Sequence, residues 1–162
     1  LYVCNVEESS AAEGNGFSAK VAARAREEGA AAVVVSAKIE SEIAVLPAEE
    51  QKDYLEAVGL DRPGLDRVIR AGYDLLHLLT YFTVGPKEAR AWTIEAGTRA
   101  PQAAGVIHTD FEKGFIRAET IAFVDYVALR GEAGAREAGK LRLEGKDYVV
   151  ADGDVLHFRF NT

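Results

Sequence analysis

Two short polar clusters each follow an apolar run early in the 162-residue chain. Asn5-Val6-Glu7-Glu8 comes directly after Leu1 to Cys4, and Ser36-Ala37-Lys38 comes directly after Ala31 to Val35. In open parallel α/β sheets ligands bind beyond the carboxyl ends of strands, which is where both clusters would lie. Lys38 adds a four-carbon stem that can lie along an apolar purine face while its ammonium stays in water. Further on, Arg130, Arg136, Lys140, Arg142 and Lys146 fall within 17 residues that hold only Glu132, Glu137 and Glu144 as acids, a local net charge of +2. Arg and Lys contact phosphates without a fixed sequence, so this stretch is the candidate RNA-facing segment, with a solvated loop of mixed charge as the alternative. His108 and Asp110 form either a hydrogen-bonded pair on such a surface or, with Thr109, the start of a helix. No residue is singled out as catalytic. His77, His157, Trp92 and Cys4 read as structural.

The elements that must position these residues follow from apolar periodicity and turn chemistry. Leu1 to Cys4 reads as a strand buried on both faces and Ala31 to Val35 as a second continuous apolar strand, and Phe17, Val21, Ala22 and Ala25 recur at helical spacing between them until Gly29. Strand, helix, strand with short joints is a βαβ unit, whose default is a parallel sheet with a right-handed crossover. Pro47 and Pro63 open two further helices, the second with Leu65, Val68, Ile69, Leu75 and Leu76 on its apolar face. From Leu78 the pattern turns strand-like: a hairpin over Leu79 to Val84 and Ala89 to Ile94, a short helix around Ile107 to Lys113, a strand from Phe115 to Ala122 and a helix near Phe123 to Leu129. Gly131 to Gly145 reads as a loop with at most one helical turn. Tyr148 to Val150 and Val155 to Phe160 read as a closing hairpin around Asp152-Gly153-Asp154. The fold class is therefore α/β over residues 1 to 77, then α+β over 78 to 162.

Composition narrows the classes. Hydrophobic residues make up 48% of the chain, a globular balance, and no apolar run approaches the roughly 18 residues of a spanning helix. Residues 1 to 77 carry 8 cations against 14 acids, net −6, and residues 78 to 162 carry 11 against 12, net −1. Non-specific affinity for polyanions comes from clustered cations, so neither DNA nor a membrane is expected as a partner, and any nucleic-acid surface belongs to the second half. A single cysteine forms no internal disulfide, and no His/Cys cluster has metal-ligand spacing, so a reducing cytoplasmic setting and no metal centre are expected. A chain with no methionine that starts inside a strand reads as a fragment.

Asn-x-x-acid at one strand end, followed some thirty residues later by Ser-Ala-Lys at the next, resembles the pattern by which P-loop GTPases hold the base. There the Asn pins the loops, the acid accepts from the base edge, and the backbone of the Ser-Ala-Lys turn lies beside the base. The departure is Glu8, where those GTPases carry Asp. One extra methylene displaces the carboxylate from the bidentate geometry guanine needs, and unpaired buried donors cost about 1 to 3 kcal/mol each. Adenine becomes the favoured base.

The second half carries a longer match. Ala89-Arg90-Ala91-Trp92-Thr93-Ile94, then Gly97-Thr98-Arg99-Ala100-Pro101-Gln102-Ala103-Ala104-Gly105, then Ile107-His108-Thr109-Asp110-Phe111-Glu112-Lys113-Gly114-Phe115-Ile116-Arg117-Ala118, resemble the C-terminal domain of the YchF family of Obg-like ATPases. The ending, with Asp152-Gly153-Asp154 and Phe158-Arg159-Phe160-Asn161, is similar too. The resemblance implies that residues 1 to 77 hold the C-terminal part of a P-loop NTPase (Rossmann-like) domain with linking helices. It implies that residues 78 to 162 form a TGS domain, a ubiquitin-like β-grasp module. It further implies a ribosome-associated, translation-linked parent that hydrolyses ATP and, more weakly, GTP with Mg²⁺. Asn5, Val6, Glu8, Ser36, Ala37 and Lys38 would then recognise the base, and the TGS domain would meet ribosome or RNA. The alternative is a non-catalytic RNA- or ribosome-binding TGS module. No GxxxxGK[ST] loop occurs in these residues, so the phosphate and metal chemistry is expected upstream of Leu1 and the fragment alone is expected to be inactive.

Overall fold

The computed structural model describes residues 1–161, which divide into two compact units, one spanning Leu1–Leu76 and one beginning at His77. In the first unit, strands β1 (Tyr2–Asn5) and β2 (Ala32–Val35) pair in parallel, Tyr2 opposite Ala32 and Asn5 opposite Val35. Helix α1 (Gly16–Glu27) crosses between them. It starts in a capping box: Asn15 Oδ1 accepts from the backbone N–H of Ser18, and Ser18 Oγ accepts from that of Asn15. Helices α2 (Ala37–Ile43), α3 (Ala48–Ala57) and α4 (Gly64–Leu75) follow, and Ala11, Ile39, Ile43, Leu55 and Leu60 form the small core beneath them.

Two expectations for this unit fail. Tyr2 is 38% and Val3 51% exposed, so β1 is not buried on both faces, because the sheet has only two strands and little covers it. The apolar stripe of α4 also turns outward, with Leu65, Ile69 and Leu75 exposed. The first turn of the helix is instead drawn onto β2, where a Cβ at Gly64 would stand 3.0 Å from Val35 Cγ1. The Glu40 carboxylate on α2 accepts from the backbone N–H groups of Gly64 (2.7 Å) and Leu65 (3.1 Å), which fixes that orientation.

The second unit is a five-stranded sheet in the order β4-β3-β7-β5-β6, formed by β3 (Leu78–Val84), β4 (Ala89–Glu95), β5 (Phe115–Ala122), β6 (Arg142–Glu144) and β7 (Asp154–Phe160). β3 and β7 are parallel and every other pairing is antiparallel. Helices α5 (Ala100–Ile107) and α6 (Thr109–Lys113) follow β4, and α7 (Phe123–Ala128) and α8 (Glu132–Glu137) follow β5. α5 presents Ala100, Ala103 and Ala104, all fully buried, to a core of Tyr81, Ile94, Phe115, Leu156 and Phe158. Small side chains bring that helix close enough for the buried Tyr81 hydroxyl to donate to the Ala103 carbonyl at 2.8 Å.

Two local readings fail, and one helix forms where none is expected. Residues 100 to 107 are helical, since Pro101 falls in the first turn, where its missing N–H costs nothing. Gly131 to Gly145 is not a loop but holds α8 and β6, and β6 is stabilised by its pairing with β5. No closing hairpin forms, because β7 has both edges taken by β3 and β5. Tyr148 to Val150 turns away, Val149 bridging to Arg99, while Asp152 Oδ1 accepts from the Thr80 N–H and the Gly153 N–H donates to the Thr80 carbonyl. Among the described residues no helix is long and apolar enough to cross a membrane.

Two carboxylates are buried in this sheet with a charge partner, Asp154 beside Arg142 and Glu119 beside Arg159. Arg159 Nε and Nη2 donate to the two oxygens of Glu119, both at 3.1 Å, and this holds the Glu119 carboxyl below its ordinary pKa against the opposing effect of burial. A depressed folded pKa gives stability that is complete above the unfolded value of about 4.3 and is lost as pH falls through the folded value. Glu119→Gln should therefore be less stable than the native chain at neutral pH, with the deficit shrinking as pH drops below about 4. Denaturant unfolding followed by the fluorescence of Trp92, in this same unit, measures it. A deficit independent of pH would show that the contact acts through packing and not charge.

Candidate functional site

The parallel register places Asn5 opposite Val35, so the segments leaving β1 and β2 depart side by side. Asn5 Oδ1 accepts from the backbone N–H of Ala37 at 2.9 Å, and the Val6 N–H donates to the Val35 carbonyl at 2.8 Å. These two bonds tie the post-β1 loop to the start of α2. Val6 is buried, and Glu8 opens an exposed single turn of 3₁₀ helix, Glu8–Ser10. Glu7 faces the other way: its carboxylate accepts from Ser10 Oγ at 2.6 Å and from Asn15 Nδ2, and these bonds lower its pKa.

Ser36 is 2% exposed and its hydroxyl has no hydrogen-bond partner. An unpaired hydroxyl in a desolvated position is costly, and groups of this kind are found where a ligand or an ordered water completes the bonding. Ala37 and Lys38 are exposed on the first turn of α2. The Lys38 ammonium is hydrogen-bonded to Glu42 one turn on, and Glu42 also accepts from the hydroxyl of Tyr54 on α3. The Glu42 bond raises the Lys38 pKa, with Glu8 adding a smaller Coulombic share, while Lys38 and then Tyr54 lower that of Glu42. The Tyr54 hydroxyl is pushed up to about 12, chiefly by its bond to Glu42. Ionisation is thus fixed at neutral pH across Tyr54, Glu42 and Lys38, and the far end of the Lys38 side chain is tethered while its stem remains exposed.

The structure therefore gathers Asn5, Val6, Ser36, Ala37 and Lys38 at one end of the two-stranded sheet, with Glu8 near enough to act on Lys38 electrostatically. Asn5 and Val6 also line a cleft of about 440 Å³ along β1 and α1, on whose wall Glu8 and Ser36 to Lys38 do not lie. Glu42 and Tyr54 escape a reading by sequence alone. The i,i+4 spacing of Lys38 and Glu42 is a detectable signal. Nothing local marks Tyr54, which arrives from another helix.

In the second unit the six candidates lie apart from one another in role. His108 caps α6, its Nδ1 accepting from the Asp110 N–H at 3.2 Å, so the capping group is His108 itself and not Thr109 or Asp110. Arg136 contacts Glu132 at 2.7 Å, Lys140 contacts Asp125 at 3.7 Å, and Arg142 contacts Glu144 and Asp154 at 3.4 and 3.3 Å. Arg130 and Lys146 are exposed, Arg130 in a left-handed conformation with φ 59°. Among the described residues no group of three His, Cys, Asp or Glu side chains could hold a metal ion.

Comparison with known proteins gives the lineage. The YchF-GTPase_C family, described as "Protein of unknown function (DUF933)", matches residues 78–161. The ribosome-binding ATPase YchF of Haemophilus ducreyi is 60% identical over 161 residues, and that of Bacillus subtilis is 58% identical over 163; each alignment covers 99% of this chain and 44% of the relative. The solved structure of the Schizosaccharomyces pombe YchF GTPase superposes with a TM-score of 0.83 at 35% identity, covering 98% of this chain and 43% of that one. The chain thus spans less than half the length of the relatives it matches, and its mixed α/β fold is theirs. The motif-bearing second half and the near-complete alignment together place the chain in the YchF family.

Proposed function

We propose that this chain is part of a ribosome-associated, translation-linked nucleoside-triphosphatase in which the first unit supplies the wall that recognises the base. The observation that carries this reading is the Asn5 Oδ1 bond to the Ala37 N–H, which joins the ends of β1 and β2. The names of the relatives, a ribosome-binding ATPase and a YchF GTPase, support it. In this reading Val6 and the Lys38 stem flank the ring, Glu8 accepts from its edge, and the unpaired Ser36 hydroxyl gains a partner when nucleotide binds. ATP is preferred over GTP, which binds more weakly. Phosphate and Mg²⁺ chemistry is supplied by residues other than these 162, which contain no GxxxxGK[ST] sequence, so this chain alone is expected to turn over no nucleotide.

The second unit is read as a TGS module, with a ribosome or RNA as its partner. Its strand order, with the parallel first and last strands adjacent at the centre and a helix after the second strand, supports a ubiquitin-like β-grasp. A cytoplasmic location follows from that partner.

Base choice provides the test. In the full-length protein Glu8→Asp should recover affinity for GTP. A charge-assisted hydrogen bond is worth roughly 1.5 to 3 kcal/mol, so even one recovered bond should shift the ATP-to-GTP preference by about tenfold or more. Asn5→Ala should weaken both nucleotides together, since it frees the loops without touching the base edge. Dissociation constants of both nucleotides for the native protein and each variant decide the matter. An unchanged ratio in Glu8→Asp with binding intact would move specificity to the backbone around Ser36 to Lys38.

A further inference from the structure

Along β5 and β7 side chains alternate between the two faces of the sheet. Ala118, Thr120, Leu156 and Phe158 turn inward and are buried, while Arg117, Glu119, His157 and Arg159 occupy the opposite face, Arg117 paired across the ladder with Arg159 and Glu119 with His157. Glu119 lies under three guanidiniums. Arg159 takes both of its oxygens, Arg117 Nη2 stands 3.4 Å from Oε1, and Arg136, reaching over from α8, stands 3.9 Å from Oε2. The Glu119 side chain is 7% exposed, whereas those of Arg117, Arg136 and Arg159 are 48%, 59% and 44% exposed. With Glu132 counted beside Arg136, three cations meet two anions, leaving a surplus positive charge on a chain whose net charge is −7. Each guanidinium carries five N–H donors, and the contacts to Glu119 and Glu132 occupy only a few of them.

We propose that this arginine cluster binds the phosphate backbone of an RNA, which deepens the ribosome-associated reading above and rests on it. Planar guanidiniums match phosphate oxygens in bidentate fashion, and Glu119 under Arg117 and Arg159 and Glu132 beside Arg136 hold them in place before the ligand arrives, so less side-chain freedom remains to be lost on binding. The site has no enclosing walls. The cavity beside it, bordered by Glu119, Glu132 and His157, measures about 20 Å³, room for a water and not for a phosphate group. An open face with arginines on two strands and a helix suits a polymer backbone and not a small anion held in a pocket. Lys140 and Arg142, from the cationic run in the sequence, pair instead with Asp125 and with Asp154 and Glu144. Arg136 alone belongs to both groups.

The test uses the full-length protein and a fluorescein-labelled RNA hairpin, with anisotropy titrations between about 50 and 200 mM salt. Arg117→Gln combined with Arg136→Gln leaves the Arg159–Glu119 pair intact, and Trp92 fluorescence confirms that the unit is folded. The double variant should bind the hairpin about tenfold or more weakly, with a log–log salt dependence shallower by about two, regardless of hairpin sequence. Lys140→Gln with Lys146→Gln should change both values far less. Unaltered affinity and slope in the arginine variant, or no RNA binding by the native protein, overturns the proposal. So does equally tight, arginine-dependent binding of a polyglutamate peptide, which would assign the face to an acidic protein. Cosedimentation with ribosomes is scored separately. If the native protein cosediments and the arginine variant behaves like it in both assays, only this inference falls. If the native protein does not cosediment, the ribosome-associated reading falls, and the hairpin titrations still judge the surface.

Discussion

The parallel register of β1 on β2 is the constraint from which the first unit's site follows. Because Asn5 stands opposite Val35, the two chain segments leave the sheet at the same level, and a short amide side chain spans the gap to the Ala37 N–H. A slip of one residue would turn Asn5 to the other face and leave that N–H without its partner. Everything else at this end is arranged around the joint: Val6 packed beneath it, Ser36 buried beside it, Lys38 projecting from the turn it fixes. The second layer, Glu42 and Tyr54, acts on this arrangement from behind. It links the side chain that meets solvent to a helix that contributes nothing to the sheet.

Glu40 shows how economically α2 is used. Read alone, it is an acid at an exposed helix start. Its carboxylate instead satisfies the first two free N–H groups of α4, and this interaction, not the leucine stripe, sets the face α4 presents to β2. One short helix therefore carries Lys38 outward, Ile39 and Ile43 into the core, and Glu40 as the cap of another helix. The sequence period of α4 predicts which residues are apolar but not which way they point, because orientation was decided by a polar contact from elsewhere in the chain.

That contrast describes what was legible in the sequence. Strand ends announce themselves where apolar runs stop, so Asn5 and Ser36 to Lys38 could be placed at the sheet terminus from the sequence, and so could most of the strands and helices. Elements held by distant partners could not. β6 has three residues and no periodicity to detect, and its existence depends on Glu119 and its neighbours in β5. Asp152-Gly153-Asp154 forms a tight turn, as its residues predict, with Gly153 at φ 80°, yet it docks on Thr80 of β3 and leads into β7 without closing a hairpin. The Tyr54 contact and the arginines over Glu119 were hidden for the same reason, since both join residues that only tertiary structure makes neighbours.

The position of β7 has a consequence for how the second unit comes into being during synthesis. The strand that occupies the middle of the sheet is the last of its five in sequence, so a nascent chain that has emerged only as far as β6 holds β3–β4 and β5–β6 as two separate ladders with their inner edges bare. Neither half can be completed by local pairing; closure requires Val155 to reach Phe82 in parallel while Leu156 meets Thr120. Completion of this sheet thus waits until β7 is available, and it has the slow, non-local character of such pairings. A product truncated before Asp154 would present two open strand edges at once, the geometry that draws chains into one another, so this domain tolerates premature termination poorly.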